Sequence, residues 1–195
     1  MKSKFNLKNE YKEGWKYLKE SRNFIYLIVG IFLISSLIGF FVPPPDFVVE
    51  QIMKFIEELL GKTQGMSMLE LVIFIFANNI QSSFFGIIFG FLFGIFPMLA
   101  SIANGYLIGF VGSIVVEAEG LSSLWRLVPH GIFELPAIFI SFGLGLKAGM
   151  FIFQKDRSES FRKYLWNSLR VFILIVLPLL IIAAIIEGVL ISLGM

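Results

Sequence analysis

Residues 67–116 read SMLELVIFIFANNIQSSFFGIIFGFLFGIFPMLASIANGYLIGFVGSIVV and contain one charged side chain, that of Glu70. A helix rises about 1.5 Å per residue, and about 20 apolar residues cross a bilayer. A run of about fifty residues therefore predicts two crossings joined by a short turn. We expect the turn near residues 94–97, which gives spans over about 68–94 and 98–118.

The composition of the whole chain agrees with a membrane protein. Hydrophobic residues make up 57% of the 195 residues and charged residues 15%, with a mean hydropathy of +0.85. Soluble domains carry about 25% charge, and 23 phenylalanines would be hard to bury in a soluble core of this size. Cysteine is absent, which excludes a disulfide framework, a thiolate metal site and a cysteine nucleophile.

Three further apolar segments are long enough to cross the bilayer, over about 24–42, 127–153 and 170–193. The first could be a cleaved signal peptide. It ends, however, in three prolines at 43–45 rather than in a small-residue cleavage site, so we predict an uncleaved helix. The sequence thus predicts an all-α, polytopic bundle of about five transmembrane helices in a single transmembrane domain, residues 23–195.

Two other segments have the pattern of helices at the membrane surface. Residues 1–22 carry seven Lys or Arg against three Glu, and Tyr11, Trp15 and Leu18 fall at helical spacing. We expect a basic, cytoplasmic N-terminal helix that lies partly along the membrane. Residues 46–60 place their apolar side chains on one face and are too polar to span, which predicts an interfacial amphipathic helix after the first span.

The distribution of basic residues predicts the orientation. With five spans, one side receives seven Lys or Arg from residues 1–22, Lys147, and five from the expected loop 154–170, thirteen together. The other side receives three: Lys54, Lys62 and Arg126. The positive-inside rule then predicts a multi-pass protein of the cell membrane, with a cytoplasmic N-terminus and an external C-terminus. The net charge of +2 gives no indication of a nucleic-acid partner.

Three spans carry small residues at every fourth position, a spacing that lets helix backbones approach closely in a membrane. We expect tight packing within the chain; a homodimer formed through one of these small-xxx-small stripes is the alternative. The stripes are Gly86, Gly90 and Gly94 in the second span, Ser101, Gly105, Gly109 and Ser113 in the third, and Ala137, Ser141, Gly145 and Gly149 in the fourth.

Polar residues inside the spans point to a site. His130 is the only histidine in the chain, and Glu134 lies one turn further on the same helix face. Ionisable groups inside a bilayer are costly and are usually kept for a function. Counted from the outer span ends, Glu187 and the pair Asn78-Asn79 reach a similar depth in the outer half of the bilayer.

We therefore predict a polar site of His130, Glu134, Glu187 and one of the two asparagines. Asn104 is also a polar residue within a span, but it lies nearer the inner face and is expected in a different contact. Pro129 suits a first helical turn. Pro136 cannot donate to the carbonyl of Ile132, so we expect this half-turn to line a polar cavity.

These motifs resemble those of the stage II sporulation protein M family. The resemblance rests on FANN at 76–79, NG at 104–105 and PHGIFELPA at 129–137, where Gly131 and the two prolines shape the helix. The family's members are integral membrane proteins, and in spore formers the member works with cell-wall-remodelling partners. Relatives in archaea and in non-sporulating bacteria cannot share that role. The resemblance thus implies the fold and the polar motif, and little about activity.

Three functions fit these observations. The first is a membrane scaffold or complex subunit, without enzymatic activity, whose partners are the lipid bilayer and other membrane or cell-envelope proteins. The second is a site for zinc or another divalent transition metal held by His130, Glu134 and Glu187, either structural or activating water for intramembrane hydrolysis. The third is an ion or small-solute transporter that uses the two glutamates as relays.

Overall fold

The computed structural model describes residues 6–192, and the side chains of residues 125–130 lie outside the described part. Residues 6–192 form helices joined by short connections, without a β-strand. Five helical segments are long and apolar enough to cross a membrane, which confirms the predicted fold class. These segments are Arg22–Phe41, Met68–Phe91, Ile95–Glu119, Gly131–Phe153 and Arg157–Ser192.

Eight α-helices make up this part of the chain. They are α1 (Leu7–Glu20), α2 (Arg22–Phe41), α3 (Asp46–Thr63), α4 (Met68–Ile88), α5 (Ile95–Glu119), α6 (Leu127–Gly149), α7 (Arg157–Val171) and α8 (Leu177–Ser192). Short 3₁₀ turns follow α4, α5 and α6, over Phe89–Phe91, Leu121–Arg126 and Met150–Phe153. A π-helical turn, Phe172–Val176, joins α7 to α8.

The turn between the second and third spans comes slightly earlier than predicted. The 3₁₀ turn ends at Phe91, and α5 begins at Ile95. Phe93 and Gly94 have φ angles of +59° and +70°, a left-handed conformation that glycine adopts without strain. Pro97 lies in the first turn of α5, where helical N–H groups have no intrahelical acceptor, so its missing N–H costs nothing.

The prediction of a loop over residues 154–170 is wrong for most of these residues. α7 begins at Arg157 and continues through the π turn into α8. The resulting helical segment has 36 residues. It is about 54 Å long, whereas the hydrocarbon core measures about 30 Å. The basic α7 part can therefore project from the membrane as a helix and still mark the boundary of the fifth span.

α6 is the central helix of the bundle. All residues from Ser141 to Gly149 are buried, and α6 packs against α2, α4 and α8. Phe142 and Leu144 are almost completely inaccessible to solvent. α3 contrasts with α6, because it has no buried residue.

The stripe of small residues in α5 packs against α2. A Cβ atom added to Gly105 or Gly109 would overlap the backbone carbonyls of Phe32 and Ser36 respectively. Ser101 adds a direct bond, since its Oγ donates to the carbonyl oxygen of Ile28 over 3.1 Å. The two helices thus approach backbone to backbone, as small residues allow in a membrane.

The stripes of α4 and α6 pack against each other. A Cβ atom on Gly90 would overlap the backbone of Gly145, and one on Gly145 would overlap the carbonyl of Gly86. Gly149 packs in the same way against Gly94. The small-residue stripes thus make close contacts within the chain. The alternative of a homodimer formed through one of them gains no support from the structure.

Candidate polar site

The polar side chains of three spans meet at Glu134. This residue lies on α6, and its carboxyl group interacts with the side chains of Glu187 on α8 and Asn79 on α4. The contact joins residues that are 55 and 53 positions apart in the sequence, on helices that pack against one another. Glu134, Glu187 and Asn79 are called the carboxyl cluster below.

Asn79 rather than Asn78 enters the carboxyl cluster. Asn79 is 5% exposed, whereas Asn78 faces outward and its Nδ2 donates to Asn79 Oδ1 over 3.5 Å. Adjacent helical residues point about 100° apart, so only one of the two can face α6. The sequence predicted that one asparagine would take part without indicating which.

Close packing of α8 on α4 brings Glu187 to this position. A Cβ atom on Gly188 would overlap the side chain of Val72, so α8 can lie this near to α4 only because residue 188 is glycine. The neighbouring small residues Ala183 and Ala184 are buried as well. Glycine and alanine thus bring the carboxyl of Glu187 within hydrogen-bonding reach of Glu134.

The contact between two carboxyl groups has a chemical consequence. An ionised carboxylate only accepts hydrogen bonds, so a bond between two carboxyl groups requires a proton on one of them. The Glu134–Glu187 pair consequently carries at most one negative charge while the bond is present. Asn79 adds an amide that can donate to a carboxylate oxygen.

The metal prediction depends on a side chain outside the described part. The backbone of His130 lies on α6 one turn before Glu134, but its side chain is not described, nor is that of Pro129. Among the described residues, no group of three or more His, Cys, Asp or Glu side chains is arranged to hold a metal ion. Two of the three predicted ligands, Glu134 and Glu187, interact with each other, and the metal site stays a prediction.

Pro136 does not lie where a residue lining the predicted polar cavity would be expected. α6 continues through Pro136 as a helix. Pro136 and Ile132 are both exposed, and Ile132 points about 200° away from Glu134 around the helix. The turn weakened by the missing N–H therefore faces outward, away from the carboxyl cluster. Gly131 is half-buried beside Leu135 of the same helix.

Asn104 occupies a different part of the bundle. It is half-buried on α5, next to Gly105, and α5 packs mainly against α2. The carboxyl cluster is formed by α4, α6 and α8. Asn104 therefore lies on a helix outside the carboxyl cluster, and the separate contact expected for it stays a prediction.

Residues 28–190 match the family model described as Stage II sporulation protein M. The chain belongs to this family. A curated relative, the uncharacterized protein MJ0706 of Methanocaldococcus jannaschii, is 26% identical over 171 residues, which cover 85% of this chain and 76% of the relative. No solved structure gives a significant match. The matched region of this family member contains the entire carboxyl cluster.

A second polar cluster, at the other end of the spans, was missed by the sequence analysis. Lys147 is 8% exposed, and its Nζ donates to Ser21 Oγ over 3.1 Å and lies 3.9 Å from the centre of the Tyr17 ring. Glu20 Oε2 lies 4.0 Å away from the same nitrogen. Lys147, Ser21, Tyr17 and Glu20 are called the lysine cluster below. From the sequence, Lys147 indicated only the orientation of the spans.

The lysine cluster holds α1 against the bundle. The hydroxyl of Tyr17 interacts with Ser168 of α7, and burial raises the pKa of Tyr17 well above its ordinary value of 10.0. Further along α1, Arg170 Nε donates to Glu10 Oε2 over 2.6 Å. The sequence offered one signal: of the thirteen residues from Ala137 to Gly149, Lys147 is the only charged one and the other twelve are small or apolar.

Proposed function

We propose that this protein is a membrane scaffold or complex subunit whose bundle is fixed by the carboxyl cluster and whose exposed elements bind other membrane or cell-envelope proteins. The observation that carries the proposal is the interaction of Glu134 with both Glu187 and Asn79. Each of the three side chains comes from a different span. A buried network whose members satisfy one another fixes one packing of the helices.

The chemistry of the cluster supports a structural role. The carboxyl group of Glu134 interacts with side chains of two other spans, Glu187 and Asn79. Hydrogen bonds between spans in a membrane contribute on average about 0.6 kcal/mol, and up to about 1–2 kcal/mol. A cluster of three such groups is enough to favour one arrangement of α4, α6 and α8.

α3 is the element that we propose for partner binding. It has no buried residue, and Phe47, Phe55 and Leu60 are exposed by 68%, 50% and 64%. Four acidic residues, Asp46, Glu50, Glu57 and Glu58, are exposed on the same helix. A helix of this kind between two spans can lie in the membrane interface and contact a neighbouring protein without disturbing the bundle.

Photo-crosslinking in native membranes tests the scaffold proposal. A photoreactive amino acid replaces Phe47 or Leu60 on α3 or, as a matched control, Ile34 on the exposed face of α2. We expect both α3 positions to give a discrete adduct with the same protein, and the α2 position to react with lipid. Lipid adducts alone at all three positions would contradict the proposal.

A second candidate function is that of a metal-binding membrane protein. One observation favours it: two carboxyl groups interact one turn from His130. Two carboxylates and an imidazole form a common zinc ligand set, with water as the fourth ligand. Such a site could be structural or could activate water.

Elemental analysis of the purified protein distinguishes this candidate from the scaffold. Bound metal predicts about one equivalent of zinc or another transition metal per chain, lost in the Glu187→Gln variant. Glu117→Gln, on the exposed end of α5, is the matched control. Metal-free protein whose melting temperature does not respond to added zinc would exclude the candidate.

A further inference from the structure

The helix α1 is divided lengthwise into four sectors of different chemistry. Successive residues of a helix are rotated by about 100°, so the direction of each side chain follows from its number. Glu10, Gly14, Tyr17 and Ser21, at its C-terminal cap, fall within an arc of about 60°. This arc is the bundle sector, because it contains the two buried residues of α1, Gly14 and Tyr17.

The bundle sector combines polar contacts with one aromatic ring, that of Tyr17, which is buried in the hydrophobic core. Glu10 pairs with Arg170, Ser21 accepts from Lys147, and Gly14 lies about 3.7 Å, measured from an added Cβ, from the aliphatic part of Arg170. A typical amphipathic helix packs its apolar face on the protein core. Apart from Tyr17, α1 directs mainly polar and small residues toward the bundle, so Leu7, Tyr11 and Trp15 remain exposed.

The apolar sector of α1 is exposed. Leu7, Tyr11 and Trp15 are exposed by 53%, 47% and 53%, whereas Leu18 at the edge of the sector is half-buried against the hydrophobic core. These four side chains cover an arc of about 80° directly beside the bundle sector. Large apolar side chains in a continuous exposed stripe mark a surface that binds a protein or a membrane.

The charged residues of α1 are sorted by sign around the remaining half of the helix. Lys8, Lys12, Lys16 and Lys19 are all exposed and occupy the next arc of about 80°, on the far side of the apolar sector from the bundle. Glu13 and Glu20 point about 180° away from the centre of the apolar sector. If the apolar sector faces down into lipid, the lysines point sideways at headgroup level and the glutamates lie on the side away from lipid, where Glu20 Oε2 is 4.0 Å from Lys147 Nζ.

The position of α1 along the bundle agrees with this placement. Glu10 binds Arg170, just before the apolar run of the last span begins. A groove of about 310 Å³ lies at this point. It is lined by Glu10 of α1 and by five residues of the last helical segment: Trp166, Leu169, Arg170, Ile173 and Leu174. Trp166 and Ile173 are exposed by 66% and 58%. Tryptophan is enriched at this boundary between headgroups and hydrocarbon.

We infer that α1 is a docking surface for anionic phospholipid headgroups, with Leu7, Tyr11 and Trp15 inserted among the acyl chains and the four lysines on the phosphates. Charge complementarity favours anionic lipid over a second copy of the chain, because one sector collects only cations and lies next to the apolar one. Lysine stems can cover apolar surface while their ammonium groups reach the phosphates. The inference does not depend on the carboxyl cluster or on its function.

Lipid-specific fluorescence quenching tests the inference on the full chain in proteoliposomes. Trp125→Phe and Trp166→Phe leave Trp15 as the single tryptophan of the protein. Vesicles contain phosphatidylcholine and phosphatidylglycerol in a fixed ratio, and the acyl chains of one lipid at a time are brominated. We expect brominated phosphatidylglycerol to quench Trp15 at least about twofold more than brominated phosphatidylcholine at equal mole fraction.

Two matched variants identify the lysines as the cause. Lys12→Gln with Lys19→Gln removes two charges that flank Trp15, and we expect the quenching ratio to fall to about one. Lys54→Gln with Lys62→Gln removes two charges from α3, and the ratio should stay unchanged. Equal quenching by both lipids in the unmodified sequence would overturn the preference for anionic lipid. Absence of quenching by either lipid would overturn the lipid contact itself and leave a protein as the occupant of the stripe.

Discussion

The carboxyl cluster and the lysine cluster both bury ionisable groups, but they satisfy them in different ways. Lys147 has a carboxylate, a hydroxyl and an aromatic ring around it, all suited to a cation. Glu134 faces another carboxyl group and an amide. The lysine cluster is therefore suited to a charged lysine, whereas two neighbouring carboxyl groups repel each other when both are ionised and can form a hydrogen bond when one of them holds a proton. The same bundle thus contains the lysine cluster, which suits a positive charge, and the carboxyl cluster, which suits the neutralisation of one of two negative charges.

The largest effect is expected from truncation in the carboxyl cluster. Glu134→Ala leaves Glu187 and Asn79 without their shared partner and opens a small cavity, which should cost about 3 kcal/mol of unfolding free energy. Unfolding in mixed detergent micelles measures this cost. Glu117→Ala, at an exposed position, is the control and should change stability by less than about 0.5 kcal/mol. Equal stabilities of the two variants would show that the cluster does not hold the spans together.

The next effect concerns the lysine cluster. Lys147→Ala removes the donor to Ser21 and the cation above Tyr17, and we expect a loss of about 2 kcal/mol. The loss should be local, so amide exchange should accelerate in α1 and remain slow in α6. Lys155→Ala, in the exposed connection between the fourth and fifth spans, is the matched control. Unchanged exchange in α1 would contradict the proposed role of Lys147 in holding this helix.

A smaller, pH-dependent effect is expected at Tyr17. Burial raises the pKa of Tyr17 in the folded protein above its ordinary value of 10.0. The stabilisation is therefore complete below pH 10 and is lost as the pH rises above it, by up to about 1.4 kcal/mol per pH unit. Amide exchange of α1 between pH 9 and 11, corrected for intrinsic rates, follows the loss. Tyr17→Phe should abolish this dependence, and a steep dependence in that variant would assign it to another group.

The smallest effect is expected at the ion pair of Glu10 and Arg170. Both side chains are about a quarter exposed, and solvent screens such pairs. Glu10→Gln should lower the stability of the α1 contact by about 0.5 kcal/mol, with a smaller difference in 0.5 M salt. A loss of stability as large as that of Lys147→Ala would contradict the smaller contribution expected for the ion pair.

The five spans could be predicted from the sequence because length and hydropathy alone identify them, as in Arg22–Phe41 and Ile95–Glu119. The helical state of residues 157–170 could not be predicted in this way. A polar segment next to a span can form a loop or a helix, and tertiary contacts such as that of Arg170 with Glu10 are not visible in hydropathy.

The candidate site could be predicted in part. Depth along the spans brought Glu134, Glu187 and the asparagine pair to one level, and the structure brings three of these side chains into contact. The choice of Asn79 over Asn78 depends on the rotation of α4, which close glycine packing determines. The burial of Lys147 depends on α1 folding back over α7, a long-range contact without a local sequence signal.

A double-mutant cycle between Glu134 and Glu187 tests the central claim most directly. The stabilities of Glu134→Ala, Glu187→Ala and the double variant are compared with that of the unmodified protein in one detergent mixture. If the carboxyl cluster fixes α6 to α8, the two losses are coupled by at least about 1 kcal/mol, and the double variant loses less than their sum. Losses that add within about 0.3 kcal/mol would contradict the claim.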